Sequence, residues 1–424
     1  MRLRIALAFS ILAATPAFAA EAVTYKGTIG TIPIILEMAD ADSDGVFVAR
    51  YAYASKGIDI PLHGTTNVDG GLAIEEEAPC DDKTCKNADG DLLEKPPIGA
   101  DWALTAKKAG KTLNGVWKDR KSGKSLPIAL AQVGSRTLPD GAQSMGMDGL
   151  DPTIANNSRV NIKVAPKDLP YDFLKLDHSM QNGPETAFEG ATIRTDTDPR
   201  TGTAYPTIVK LRGADATAIN AFLKQQWLQF QLPAYWCKSK LYLGTGWFGT
   251  PSDGSNGYED GGSTVTIEHL TPRLLGLVEN GSYYCGGAYP NHFETRHYAD
   301  IRTGEPVEAE RLLRGWVPKN AEGEEIDPAT ATGPEDQEYG PNAELVKFVN
   351  DRRDKSDASV ETDCGMSDLV ASNLGVHFTQ SELVFNLKGL PHVIFACTDD
   401  LVRVPLKDAR PLLNEEGVRL LLGD

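Results

Sequence analysis

Val46-Phe47-Val48-Ala49-Arg50-Tyr51-Ala52-Tyr53 is the stretch from which the first half of the fold is read. Phe47, Ala49, Tyr51 and Tyr53 alternate with Val48, Arg50 and Ala52, the two-residue period of a half-buried strand. Working outward, Ile58, Ile60 and Leu62 repeat the pattern, as do Leu113, Gly115 and Trp117, then Leu126, Ile128 and Leu130. Turn residues separate these runs at Asp44-Gly45, Asp69-Gly70 and Ser122-Gly123, and no helical periodicity interrupts them. The expectation is an N-terminal all-β antiparallel meander over residues 21–136, about eight strands curled into a small barrel or sandwich. Three runs carry a central proline, at Pro33, Pro61 and Pro127. Proline lacks a ladder donor and favours edges or strand ends. A loop from Ala78 to Pro97 holds Cys80 and Cys85.

Beyond the meander the composition changes. Residues 137–158 are polar and rich in Gly, Asp, Asn and Ser, which reads as a linker open to proteolysis. Residues 159–424 mix both periods and read as an α+β domain with antiparallel sheet. Ile219, Phe222, Leu223, Trp227 and Phe230 fall on one helical stripe. Strands are expected at Thr264–Leu270, Arg273–Cys285, His292–Ile301, Val376–Phe378, Leu383–Leu387, Val393–Cys397 and Leu401–Val404. Helices are expected near Val307–Arg314, Glu344–Arg353 and from Leu406 onward, with an acidic insertion at residues 318–341.

The N-terminus gives an address. Arg2 and Arg4 precede an apolar run, Ile5 to Ala14, and then Ala17-Phe18-Ala19. A charged start, a short apolar core and a small-x-small site read as a secretory signal peptide over residues 1–20. Exported proteins meet oxidants, so the six cysteines are expected to pair. Position along the chain suggests Cys80–Cys85, Cys237–Cys285 and Cys364–Cys397, with Cys237 just after the long helix. The formal charge is −17, and loss of Arg2 and Arg4 makes it −19. Such a chain repels nucleic acid and favours a basic partner. No apolar stretch after the signal is long enough for a membrane span. No motif calls for a cofactor.

Asp40, Asp42, Asp44 and Gly45 spell the D-x-D-x-D-G opening of a calcium loop. Tyr51 stands where the twelfth-position Glu belongs, and a strand follows instead of a helix. The stretch is therefore a hairpin turn first and a calcium candidate second. His292, Glu294 and His297 invite a metal reading, but His297 points to the opposite strand face and no third ligand is evident. The glycine-rich Gly249–Gly262 segment lacks the Lys-Ser/Thr end of a phosphate loop. Aromatic residues cluster at Tyr235, Trp236, Tyr283, Tyr284, Tyr289 and Phe293, a composition suited to a core or to stacking on a ligand.

Several stretches of the second domain resemble one family. Tyr205-Pro206-Thr207-Ile208 followed by a helix at Ile219-Asn220, the run Cys285-Gly-Gly-Ala-Tyr-Pro-Asn-His292, the turn Asp300-Ile-Arg-Thr-Gly-Glu305, and Val402 to Leu413 carry the resemblance. The family is the extracellular domain shared by lysozyme-sensing anti-sigma factors and the non-catalytic region of some peptidoglycan deacetylases. The resemblance covers Arg159 to Leu422. Tyr289 stands where that family has His. The chain shows neither the anti-sigma transmembrane helix nor the metal motifs of the deacetylase domain. The resemblance implies an α+β fold, an envelope setting and a ligand such as lysozyme.

Together these readings predict an exported protein, periplasmic or extracellular, that acts by binding or sensing. The ligand would be a basic protein or cell-wall glycan, met near Tyr289, Asn291 and His292. The alternative is an enzyme acting on cell-wall glycan or peptide.

Overall fold

The computed structural model describes residues 20–79, 84–91, 93, 95–107, 110–139, 147, 149–151, 165–239, 264–283, 291–320, 323–327, 338–390, 394, 397–398 and 400–423. These fall into two compact units that meet in sequence at Lys175 and Leu176.

The first unit is a closed antiparallel barrel. Its strands are β1 (Glu21–Ile29), β2 (Ile32–Ala39), β3 (Val46–Tyr53), β4 (Asp59–Thr66), β5 (Gly71–Glu77), β6 (Ile98–Lys107), β7 (Thr112–Asp119) and β8 (Ser125–Thr137). Each pairs with the next, and β8 returns to β1. Alternation sends Leu36, Tyr51, Leu62, Ile74, Trp102 and Ile128 inward, all at most 2% exposed. Phe47 fits because Gly64 faces it across the ladder, where a Cβ would lie 2.1 Å from the ring. The three prolines are the second or third residues of β2, β4 and β8, so strand ends accommodate them. Inside the barrel Glu76 accepts the indole N–H groups of Trp102 and Trp117, both at 2.8 Å. Burial raises its pKa although those bonds oppose the shift.

The outer face of β2–β4 is not solvated. Helix α1 (Pro170–Leu176) covers it, with Tyr171 and Leu174 on Ile35 and Ala52. Beneath it lies a buried set of three cations and three carboxylates. Arg50 donates to Glu37 (2.9 Å), Asp59 (3.2 Å) and Asp172 (3.0 Å). Lys175 donates to both oxygens of Asp59, and Arg136 to both oxygens of Glu37. Tyr171 donates to Asp59 at 2.7 Å and lies with its ring 4.4 Å from the Arg50 guanidinium.

Two expectations are corrected here. The expected linker includes Leu138, Met147 and Leu150, which are buried against Ala22 and Ala39. The second domain was expected to begin at residue 159, but Leu169–Lys175 belongs to the barrel unit, held by the charges of Asp172 and Lys175.

The second unit is α+β with small antiparallel sheets. Strands β9 (Gln181–Phe188), β10 (Ala191–Thr197) and β11 (Ala204–Leu211) form one sheet, followed by the long helix α2 (Thr217–Ser239). A second sheet holds β12 (Thr264–Leu270), β13 (Leu274–Tyr283), β14 (Asn291–Asp300) and β15 (Pro306–Val307). A hairpin of β16 (Trp316–Lys319) and β17 (Glu338–Pro341) closes the base of the acidic insertion. The last sheet is β18 (Leu374–Phe378), β19 (Glu382–Leu387) and β20 (Asp400–Pro405), packed with helix α3 (Ala343–Arg352) around Val349, Phe378 and Phe385.

The helix expected at Val307–Arg314 is a single 3₁₀ turn, Ala309–Leu312. The helix expected from Leu406 onward is two 3₁₀ turns, Leu406–Asp408 and Arg410–Leu412, then an α-helical turn, Glu415–Gly417, that runs on into a π-helical turn, Val418–Leu422. The expected strand at Val393–Cys397 lies largely outside the described residues. Cys364 and Cys397 form a disulfide as expected. Cys85 and Cys237 are also disulfide-bonded, but their expected partners, Cys80 and Cys285, lie outside the described residues. Cys237 does not follow α2 but sits within its last turn. Among the described residues no helix is long and apolar enough to cross a membrane.

Candidate functional site

A cleft with mixed polar, charged and aromatic lining lies in the second unit where α2 crosses β10 and β11. Asp215 starts the helix by accepting from the Thr217 amide at 3.1 Å and its hydroxyl at 2.8 Å. One turn later Asn220 behaves as a strand neighbour. Its carbonyl accepts from the Ile208 amide at 3.0 Å and its amide donates to the Ile208 carbonyl at 2.8 Å. That double bond pins the helix to β11. Leu223, Trp227 and Phe230 then bury the apolar stripe.

The pinning leaves a cleft of about 270 Å³ lined by Asp196, Tyr205, Thr207, Asn220, Lys224 and Trp227, among others. Asn220, Lys224 and Trp227 share one helix face, since they stand four and three residues apart. The Lys224 ammonium lies 3.8 Å from the centre of the Trp227 ring. Burial lowers the Lys224 pKa, and the nearby Asp177 carboxylate opposes that shift. The Trp227 indole N–H is buried without a hydrogen-bond partner, in a side chain only 3% exposed. Asp196 is held by Arg194 (2.6 and 2.9 Å) and by the Thr207 hydroxyl (3.3 Å). Behind the cleft wall the Tyr205 hydroxyl donates to Glu279 at 2.7 Å. His297 Nε2 lies 3.2 Å from the other Glu279 oxygen. Burial and the Glu279 charge both push the Tyr205 pKa up. The arrangement offers a cation and fixed polar groups over a buried indole whose donor is unused.

A second polar cluster sits further along α2. The Tyr235 hydroxyl donates to Asp198 at 3.1 Å, and His178 Nε2 lies 3.0 Å from the same oxygen. Asp198 is buried, which alone would raise its pKa, but the His178 bond and the Arg200 amide lower it. This cluster fixes the turn between β10 and β11. The same turn recurs after β14: Asp198 and Asp300 each accept from the amide two residues on, at 2.7 and 2.8 Å.

The residues singled out from sequence are placed as follows. Tyr289 lies outside the described residues, as does Tyr284. Asn291 opens β14 opposite Tyr283, and His292 is exposed opposite Ser282. Tyr235 and Trp236 are core residues of α2. Phe293 packs on Phe230, ring centres 6.1 Å apart. Glu294 pairs with Arg296, and His297 turns to the opposite face toward Glu279. The calcium candidate Asp40, Asp42 and Asp44 is a hairpin turn. One Asp42 oxygen accepts the amides of Asp44 and Val46, Gly45 takes a φ of 78°, and Asp40 accepts from the Glu21 amide. Among the described residues no group of three His, Cys, Asp or Glu side chains could hold a metal ion. Sequence reasoning missed Lys224 and Asn220. Their signal was two polar residues in helical register with Trp227, four and three positions apart.

The chain matches no protein-family model, no curated protein and no solved structure. The resemblance drawn above therefore rests on its short stretches alone.

Proposed function

We propose that the protein acts by binding in the cell envelope, after export, and that the cleft against α2 receives a sugar unit of a cell-wall glycan. One observation carries this reading: the Trp227 N–H is buried and unpartnered in a side chain that lines an accessible cleft. An unmet buried donor costs about 1–3 kcal/mol, which a ligand acceptor would recover. The exposed Lys224 cation, seated over the buried Trp227 ring, adds a counter-charge for a carboxylated sugar. The size favours a single ring over a protein loop, since ligand pockets start at about 300 Å³. Asp196 is clamped by Arg194 and Thr207, an arrangement suited to positioning more than to proton transfer.

The test is calorimetric titration of the mature protein with muropeptides released from sacculi. Saturable binding without new products supports the reading. Turnover of the fragments would support the enzyme alternative. Saturable binding of lysozyme that is lost in a Tyr289→Ala, His292→Ala variant would move the site to that strand.

A further inference from the structure

A different surface, in the first unit, runs against the charge of the whole chain. The segment Lys107–Lys124 holds seven Lys or Arg and one Asp, in a chain of net charge −17. It spans the end of β6, all of β7 and the turn into β8. Cross-strand pairing sets its outward residues in rows. Lys26, Ala131, Thr112 and Lys107 form one row across β1, β8, β7 and β6. Thr28, Ala129, Asn114 and Thr105 form the next, then Pro127, Val116 and Ala103, then Ser125, Lys118 and Asp101, whose carboxylate is held by Arg120. Rows two residues apart are about 7 Å apart, so the lysines frame a floor about 20 Å long. Lys26, Lys107 and Lys118 are exposed, and Val116 is 44% exposed. A shallow groove of about 470 Å³ runs between Lys26 and Lys107 over Thr112, Asn114 and Ala129.

We propose that this face binds an anionic polysaccharide. Lysines at both ends argue against a second copy of the chain, because an isologous contact would bring like charges together. The floor is Ala, Thr, Asn, Pro and Val, with no exposed aromatic or leucine wedge to enter a bilayer. Its Thr and Asn groups suit a hydroxyl-rich chain, and the groove suits a polymer more than a plane. The acidic remainder of the molecule is screened beyond about 8 Å at physiological salt, so a local basic field survives at contact. This inference does not depend on the α2 cleft.

The experiment uses the mature protein and size-defined polygalacturonate, with neutral dextran, duplex DNA and phosphatidylglycerol vesicles as comparators. Polygalacturonate should bind, and binding should weaken steeply between about 50 and about 200 mM salt. A Lys26→Gln, Lys107→Gln, Lys118→Gln variant should lose about tenfold in affinity and show a shallower salt slope. All three side chains are exposed, so its melting profile should match the parent. Equal binding by the triple variant, equal binding of dextran, or preference for DNA or vesicles would each overturn the proposal.

Discussion

Arg50 joins all three carboxylates of the charged set beneath α1. It faces Glu37, Asp59 and Asp172 with 2% of its surface exposed. Desolvation alone would lower its pKa, but the three carboxylates raise it well above the ordinary value. Removing one partner from a buried set leaves the others uncompensated, at a cost of about 3–5 kcal/mol. Arg50→Ala should therefore lower the unfolding free energy from urea melts by that amount, and a change under about 1 kcal/mol would show that Lys175 and Arg136 suffice. His377 makes a second prediction. Burial, with the nearby Arg296 charge, lowers its pKa to about 4, and burial also lowers that of His269. Below pH 6.5 the unfolded chain binds protons at these positions while the folded chain does not. Stability should thus be flat above that pH and fall on acidification toward pH 4. His377 alone should contribute about 3 kcal/mol to that fall. In denaturant melts across this range, His377→Gln should flatten the slope; an unchanged slope would assign the acid sensitivity elsewhere.

Helix α1 is the element whose role is least apparent from composition. It is seven residues long, too short to persist alone. Its stability comes from Tyr171, Asp172 and Lys175 meeting the barrel. A fragment ending at Arg136 exposes Ile35 and Ala52 and strands Arg50 and Asp59. A fragment ending at Lys175 does not. The longer fragment should fold cooperatively and the shorter should not, as read by circular dichroism melts; two identical melts would remove α1 from the account. The disulfide between Cys364 and Cys397 closes 33 residues that include the short helix Met366–Ser372 and strands β18 and β19. Replacing both by Ser should cost about 3–4 kcal/mol by chain entropy.

The barrel strands were legible because one face of each is buried, and that imposes the two-residue period. The charged set was not, because Arg50 sits on the outward face, where a polar residue normally signals solvent. Only a helix more than 100 positions later turns that face into an interior. The cleft was partly legible. Trp227 and Tyr205 belong to patterns read correctly as helix and strand, while Lys224 reads as a surface residue until the Asn220 clamp brings α2 onto β11.

At the scale of the whole molecule, a strongly acidic chain presents Lys224 in a cleft of the second unit and a lysine frame on the barrel. The central claim is that the cleft binds. The most direct measurement is a ¹⁹F spectrum of the protein labelled with 5-fluorotryptophan, titrated with muropeptide. Trp227→Phe identifies the Trp227 resonance and, by removing the donor, should weaken binding about tenfold. The account predicts that this one resonance shifts saturably while those of the buried Trp102 and Trp236 stay fixed. Saturable binding that leaves the Trp227 resonance unmoved would contradict it.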